Sequence, residues 1–262
     1  MKIAIAGKGG SGKTTIAGIL TRVLANGGHK VWAIDADSNP NLGVTIGLPP
    51  EKARGMQPMP SKILKEITNE KGERALKLDM PAGEVVRKYG LPVSDRLTLL
   101  SMGSVDHAGV GCMCGGHARV RTLLSGIIDE QDEAVTVVDM EAGLEHLSRG
   151  TDRHVDVLIA VAEPYFKALE TARRVFELGR ELGIPRVVAL ANKFRSENEL
   201  QVVRDYARQH SMPLIAEIPF DGEVQRADLA AEAPALDAKG RAVRAIEKMV
   251  DELGVARATQ TV

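Results

Sequence analysis

The sequence predicts an α/β fold: a doubly wound, mostly parallel sheet with helices on both faces. Three observations carry that prediction. Short apolar runs rich in β-branched residues recur along the 262 residues. They are apolar at consecutive positions rather than alternating ones, as strands covered on both faces must be. Segments of helical periodicity lie between them, and strand–helix alternation builds a parallel sheet through right-handed crossovers.

Taken in order, the strands are KIAIAG (Lys2–Gly7), KVWAID (Lys30–Asp35), RLTLLS (Arg96–Ser101), AVTVVD (Ala134–Asp139), DVLIAVAE (Asp156–Glu163), RVVALANK (Arg186–Lys193) and PLIAEIP (Pro213–Pro219). The helices are expected at Thr14–Asn26, His117–Asp129, Phe166–Leu182, Glu197–His210 and Lys239–Leu253. Leu48–Asp95 breaks the rhythm with several Pro and Gly, and carries short helical patterns near Ser61–Glu70 and Glu84–Tyr89. We read residues 1–262 as one domain with an irregular insertion at about 48–95. The chain shows neither an internal repeat nor a low-complexity tract.

Composition narrows the class. Hydrophobic residues at 44% and charged residues at 26% are ordinary for a globular chain. A net charge of −1 gives no long-range field for nucleic acid or anionic lipid, and 3% aromatics leave no base-stacking platform. No apolar run reaches bilayer length. Lys8 and Lys13 interrupt the apolar N-terminus, so it does not read as a signal peptide. The expectation is a cytoplasmic protein with no nucleic-acid or membrane partner, its thiols reduced.

The first strand runs directly into Gly7-Lys8-Gly9-Gly10-Ser11-Gly12-Lys13-Thr14-Thr15. This fits G-x-x-x-x-G-K-[ST] in its strand–loop–helix setting. Consecutive backbone N–H groups must approach phosphate oxygens closely, which a Cβ would obstruct, and the helix N-terminus adds its positive dipole end. Gly9, Gly10, Ser11, Gly12, Lys13, Thr14 and Thr15 are therefore the expected nucleotide contacts. Lys13 is expected at the β- and γ-phosphates and the Thr14 hydroxyl on Mg²⁺.

Strand ends beside such a loop are where carboxylates act. Strand two ends in Asp35-Ala36-Asp37, and strand four in Asp139, which looks like the carboxylate of the Mg²⁺ shell. Asp35 reads equally as a loop or capping carboxylate. A guanine site of N-K-x-D type needs an acid at the fourth position, but the sixth strand ends Asn192-Lys193-Phe194-Arg195. Asn192 alone can exchange hydrogen bonds with the N6/N7 edge of adenine, so ATP and ADP are favoured over guanine nucleotides.

The GKGG-x-GKTT form, with Lys8 as a second lysine, resembles the deviant Walker A loop of the MinD-like ATPases. That group holds MinD and ParA, the arsenite-pump ATPase, the nitrogenase iron protein and the CooC-type metal-insertion ATPases. The resemblance implies a homodimer in which Lys8 contacts nucleotide across the interface. It also implies that Asp37 orients the attacking water, and that Asn192 binds adenine with help from backbone near Ile218-Pro219-Phe220-Asp221, hence Pro219. DADSNPNLG (Asp35–Gly43), CMCGGHARVR (Cys112–Arg121) and DMEAGLEHLSRGT (Asp139–Thr151) narrow the resemblance to the CooC family. Those ATPases mature nickel enzymes, so the implied client is carbon monoxide dehydrogenase or acetyl-CoA synthase. One departure is Ser11, where many relatives carry Val or Thr; its side chain is expected to point away from the backbone nest.

Cys112 and Cys114 are the only cysteines, one residue apart and bracketed by Gly111, Gly115 and Gly116. A CxC is poorly spaced for an unstrained disulfide. Thiolates suit Ni²⁺ or Zn²⁺, but two cannot close a four-coordinate site. A two-fold dimer would supply four. His117 reads either as a further ligand or as a helix-start residue. Two rivals remain. One is an ATP-driven electron donor with an iron–sulfur cluster bridging the dimer, though that family spaces its cysteines far apart. The other is a MinD- or ParA-like positioning switch, for which Lys239–Val262 makes a poor anchor.

Overall fold

The computed structural model describes residues 1–68, 72, 74–102, 120, 122–126, 134–141, 154–236 and 240–255. The strands are β1 (Lys2–Gly7), β2 (Val31–Ala36), β3 (Leu64–Thr68), β4 (Arg74–Leu78), β5 (Leu91–Pro92), β6 (Leu97–Ser101), β7 (Val135–Met140), β8 (Val157–Ala162), β9 (Arg186–Phe194) and β10 (Leu214–Pro219). The helices are α1 (Lys13–Asn26), α2 (Leu42–Thr45), α3 (Pro50–Arg54), α4 (Ala82–Tyr89), α5 (Phe166–Glu181), α6 (Glu197–Gln209), α7 (Gly222–Leu229) and α8 (Arg241–Leu253). Val120 and residues 122–126 are also helical, within the span where the sequence predicts a helix.

Among the described residues, eight strands form one sheet in the order β10-β9-β8-β1-β7-β2-β6-β5. Every pairing is parallel except β5 against β6. The sheet is therefore mostly parallel with helices, as the sequence predicts. β1 lies between β7 and β8, and the chain leaves β1 toward β2 but later returns to β8 on its other side. Such a reversal opens a crevice at the carboxyl ends of the strands, where ligands of open α/β sheets bind.

Alternation of side chains across the sheet makes two cores. Ile3 and Ile5 join one with Ile16, Ile19 and Leu20 of α1 and Ile246 and Met249 of α8. Ala4 and Ala6 face the other, with Leu169, Ala172, Val175 and Phe176 of α5. The apolar i, i+3, i+4 stripe of α5 and α8 is thus buried on opposite faces of one sheet.

The 48–95 stretch differs from its prediction in one place. The 61–70 segment reads as helical by periodicity, yet only Ser61–Ile63 make a 3₁₀ turn. Leu64–Thr68 instead pair antiparallel with Arg74–Leu78 as a hairpin. Leu64 packs partly on the core while Lys65 and Glu66 are exposed. Cross-strand pairing overrode a short pattern that suits either state. The helix expected at Glu84–Tyr89 is α4, whose Ala82, Val85 and Val86 are buried.

Candidate functional site

The sheet register sets the site's charges. β2 and β7 pair so that Asp35 stands directly beside Asp139, and Asp139 also faces Ile5 of β1. Both carboxylates thus lie near the carboxyl edge of the sheet, next to the loop that leaves β1. Each is 1% exposed.

The loop's shape comes from glycine. Gly7, Gly10 and Gly12 have φ of 153°, 80° and 96°. A Cβ on Gly7 would meet the Val161 carbonyl of β8 at 2.9 Å, and one on Gly12 would collide with the Asn192 amide. The chain folds back at once, Ser11 N–H donating to Lys8 O at 3.1 Å, and Gly12 leads into α1. The first turn of α1 holds no acidic residue, so its positive dipole end is left for an anion.

Lys13 is 6% exposed and donates to the Lys8 carbonyl at 3.3 Å. Burial lowers its pKa, opposed by the charges of Asp139, Asp37 and Glu141. Asp139 is pushed well above the carboxylate range, by burial first and then by the Asp35 charge. The Thr14 hydroxyl beside it and the Lys13 charge draw it back, but no backbone N–H satisfies its carboxylate oxygens. Asp35 differs. Burial raises it too, but its two oxygens accept the Leu42 and Asp37 N–H groups at 2.9 and 3.2 Å. Asp35 therefore organises the loop after β2, the capping alternative of its two readings. Asp37 is half-buried in that loop and accepts from Asn39 N–H at 2.8 Å. Ser38 Oγ donates to Glu141 at 2.5 Å, joining this loop to the end of β7.

Lys8, Gly9 and Gly10 are exposed, while Thr14 and Thr15 are half-buried. Ser11 is fully buried with its Oγ unpartnered, 3.2 Å from where a Gly7 Cβ would stand. It fills space beneath the loop. Two buried carboxylate oxygens without a backbone donor, beside the Thr14 hydroxyl and an open anion cradle, fit a hydrated Mg²⁺. Thr14 and Asp139 are the residues that would hold it.

Alongside the loop lies a cleft of about 360 Å³ lined by Gly12, Thr15, Asn192, Lys193, Pro219 and Phe220, among others. Asn192 and Pro219 are thus brought to one cavity with the loop. Asn192 is 5% exposed, and its Nδ2 donates to the Ser11 carbonyl at 2.7 Å. One amide hydrogen of the expected base reader is thereby committed to the loop. Arg195 stacks on Phe220 at 3.6 Å, so the residue at the fourth position of the N-K-x-D pattern packs against the wall. Asp221 closes this end: its Oδ1 accepts from Glu223 N–H at the start of α7, its Oδ2 from Ala242 N–H at the start of α8.

Sequence reasoning missed Lys193 and Glu163. Lys193 entered only as part of a guanine motif that fails. Glu163 follows β8 as Asp139 ends β7, and the same strand-end argument applies to it. Cys112, Cys114 and His117 lie outside the described residues. No described helix is long and apolar enough to cross a membrane.

A glycine-shaped anion loop at the end of β1, set in this sheet order, defines a P-loop nucleotide-binding protein. The chain belongs to the CobQ/CobB/MinD/ParA nucleotide binding domain family, which it matches over residues 2–234. It is 41% identical over 234 residues to the carbon monoxide dehydrogenase accessory protein CooC of Rhodospirillum rubrum, covering 88% of each chain. It is 35% identical over 255 residues to an uncharacterized ATP-binding protein of Methanocaldococcus jannaschii, covering 95% of this chain and 96% of that one. In fold it resembles the septum site-determining protein MinD of Pyrococcus horikoshii complexed with Mg-ADP: TM-score 0.73, 21% identity, 98% of both chains covered. It also resembles a ParA family ATPase of Chlorobium tepidum, with TM-score 0.71, 18% identity and coverage of 96% and 98%.

Proposed function

We propose that this protein is an ATP-hydrolysing metallochaperone that serves a nickel enzyme such as carbon monoxide dehydrogenase. The observation that carries the ATPase part is the buried Asp139, without a backbone donor, beside Lys13, Thr14 and the glycine loop. Leaving a buried carboxylate unsatisfied costs several kcal/mol, a cost that a ligand-bound state would remove. The client is supported by the 41% identity to a carbon monoxide dehydrogenase accessory protein.

The chain's own residues divide the work. Backbone N–H groups from Gly9 to Thr15 bind the phosphates, and the Lys13 ammonium stabilises the charge that develops on them during transfer. Thr14 and Asp139 hold Mg²⁺, which when bound neutralises phosphate oxygens. Asp37 orients the attacking water from the loop after β2. Asn192 and Pro219 seat the adenine. Lys8, exposed at the loop's rim, reaches the nucleotide of a second copy and makes ATP a dimerising ligand.

The cargo is Ni²⁺ or Zn²⁺, gripped by Cys112 and Cys114 of each chain. The CxC carries this part of the reading. If ATP tightens the dimer it must tighten the shared metal site by the same factor. The test is equilibrium dialysis with Ni²⁺ and Zn²⁺, with and without ATP, on wild type and Lys8→Ala. One metal per dimer is expected, bound more tightly with ATP only when Lys8 is present. One metal per monomer, or undiminished binding in a Cys112→Ser/Cys114→Ser variant, would sink the shared site and leave the ATPase standing.

A further inference from the structure

The phosphate loop is held partly by donors from outside it. Four of its carbonyls have partners. Lys8 O accepts from Ser11 N–H and Lys13 Nζ, and Gly12 O accepts from Ile16 N–H in α1. Ser11 O accepts from Asn192 Nδ2 at 2.7 Å, and Gly10 O accepts from Lys193 Nζ. The C=O and following N–H of a trans peptide point in opposite directions. Fixing the Gly10 carbonyl therefore fixes the Ser11 N–H that closes the turn onto Lys8. Fixing the Ser11 carbonyl turns the Gly12 N–H the other way.

Two of these donors are neighbours at the end of β9, and Lys193 is built for the task at a cost. Its φ is 59°, a left-handed conformation that a lysine adopts only under constraint. Its ammonium also lies 3.4 Å from Glu163 Oε1, which follows β8. Glu163 holds the ammonium beside the loop. Lys193 also acts on Lys13, whose pKa its charge lowers.

We propose that Lys193 is a positioning residue for phosphate binding. Oriented by Glu163, it locks the Lys8–Ser11 turn through the Gly10 carbonyl, so the amide cradle is preformed before nucleotide arrives. This rests on the ATP-binding reading above. Lys193 and Asn192 line the base cleft as well, so one dipeptide ties that cleft to the phosphate cradle. The strain at Lys193 is the mark of a residue kept for position, since glycine would hold the same backbone at no steric cost.

The experiment measures ADP and adenosine binding by titration calorimetry or competition, with apo melting curves. Lys193→Met keeps the stem and removes the charged donor. Charge-assisted hydrogen bonds are strong enough that ADP affinity should fall by about tenfold or more. Adenosine affinity should be unchanged. Equal losses for both ligands would make Lys193 a base or ribose contact, and no loss for either would remove the role; both outcomes overturn the proposal. Lys193→Gly relieves the backbone strain, so its apo melting temperature should hold or rise while ADP affinity falls. A melting temperature that drops with ADP affinity intact would make Lys193 merely structural and overturn the proposal. Wild type that binds no ADP would defeat the ATP-binding reading and this inference together, whereas wild-type binding with unaltered variants defeats this inference alone.

Discussion

At the phosphate end of the cleft, Lys13, Asp35 and Asp139 are all buried, and neither oxygen of Asp139 has a backbone N–H donor. At the base end, Asp221 is also buried, though less deeply at 9% exposed against 1% for Asp139, and both its oxygens accept backbone N–H groups from two helices. Burial alone would raise the pKa of either carboxyl. Asp139 is raised, whereas the backbone donors around Asp221 overcome burial and lower it. The difference separates two uses of a buried acid. A satisfied carboxylate organises chain; an unsatisfied one waits for a ligand.

The largest effect should come from the cation that faces this unsatisfied end. Lys13→Ala removes the ammonium that the proposed function sets against the phosphates and takes from Asp139 a counter-charge. Hydrolysis should be abolished, and ATP affinity should drop on the order of a hundredfold, as for loss of a preorganised charged donor. Nucleotide titration with a phosphate-release assay measures both. Wild-type turnover in this variant would remove the P-loop assignment.

Asp139→Asn sharpens the comparison because its two readouts move in opposite directions. The folded chain holds the Asp139 proton to higher pH than the unfolded chain does, since its pKa is raised. The sign then follows from linkage. Stability from this group is fully present below the ordinary carboxylate range and is lost as pH rises toward the raised value. A neutral amide removes that loss. Apo melting at neutral pH should therefore rise, with a flatter pH profile, while Mg²⁺ no longer strengthens ADP binding. If melting falls and the Mg²⁺ effect persists, Asp139 is a structural acid like Asp221.

The phosphate end was legible in the sequence because its chemistry is contiguous. Gly7–Thr15 carry the loop, and the apolar runs of β1 and β7 place Asp139 at a strand end beside it. Asn192 was reachable from the failed N-K-x-D pattern at the end of β9, and Pro219 through the family resemblance. The rest was not legible because it depends on tertiary geometry. Lys193 acquires its role from a left-handed φ and from Glu163, thirty positions earlier in the chain, a juxtaposition that only the pairing of β8 with β9 produces. Asp221 appears in sequence as the tail of Ile218-Pro219-Phe220-Asp221; its second helix begins twenty residues later. The Leu64–Thr68 strand failed for the opposite reason, since a five-residue apolar pattern does not choose between helix and strand until its partner Arg74–Leu78 is known.

The smallest functional effect should come from the satisfied acid, and it is the one that tests the comparison most directly. Asp221→Ala removes two N–H acceptors, one at the start of α7 and one at the start of α8. A lost helix cap costs about 1 kcal/mol, so two should cost about 2 kcal/mol in unfolding free energy. Denaturant melts measure that directly. The stability loss should appear with and without nucleotide, because the carboxylate serves the fold in both states. ADP affinity should change less than severalfold, through slight loosening of the Pro219–Phe220 wall. The expected signature is the inverse of Asp139→Asn: stability down and ligand nearly indifferent, against stability up and the Mg²⁺ response gone. Should Asp221→Ala instead leave the melt unchanged and weaken ADP by an order of magnitude, the carboxylate would belong to the ligand, and the two ends of the cleft would not differ as described.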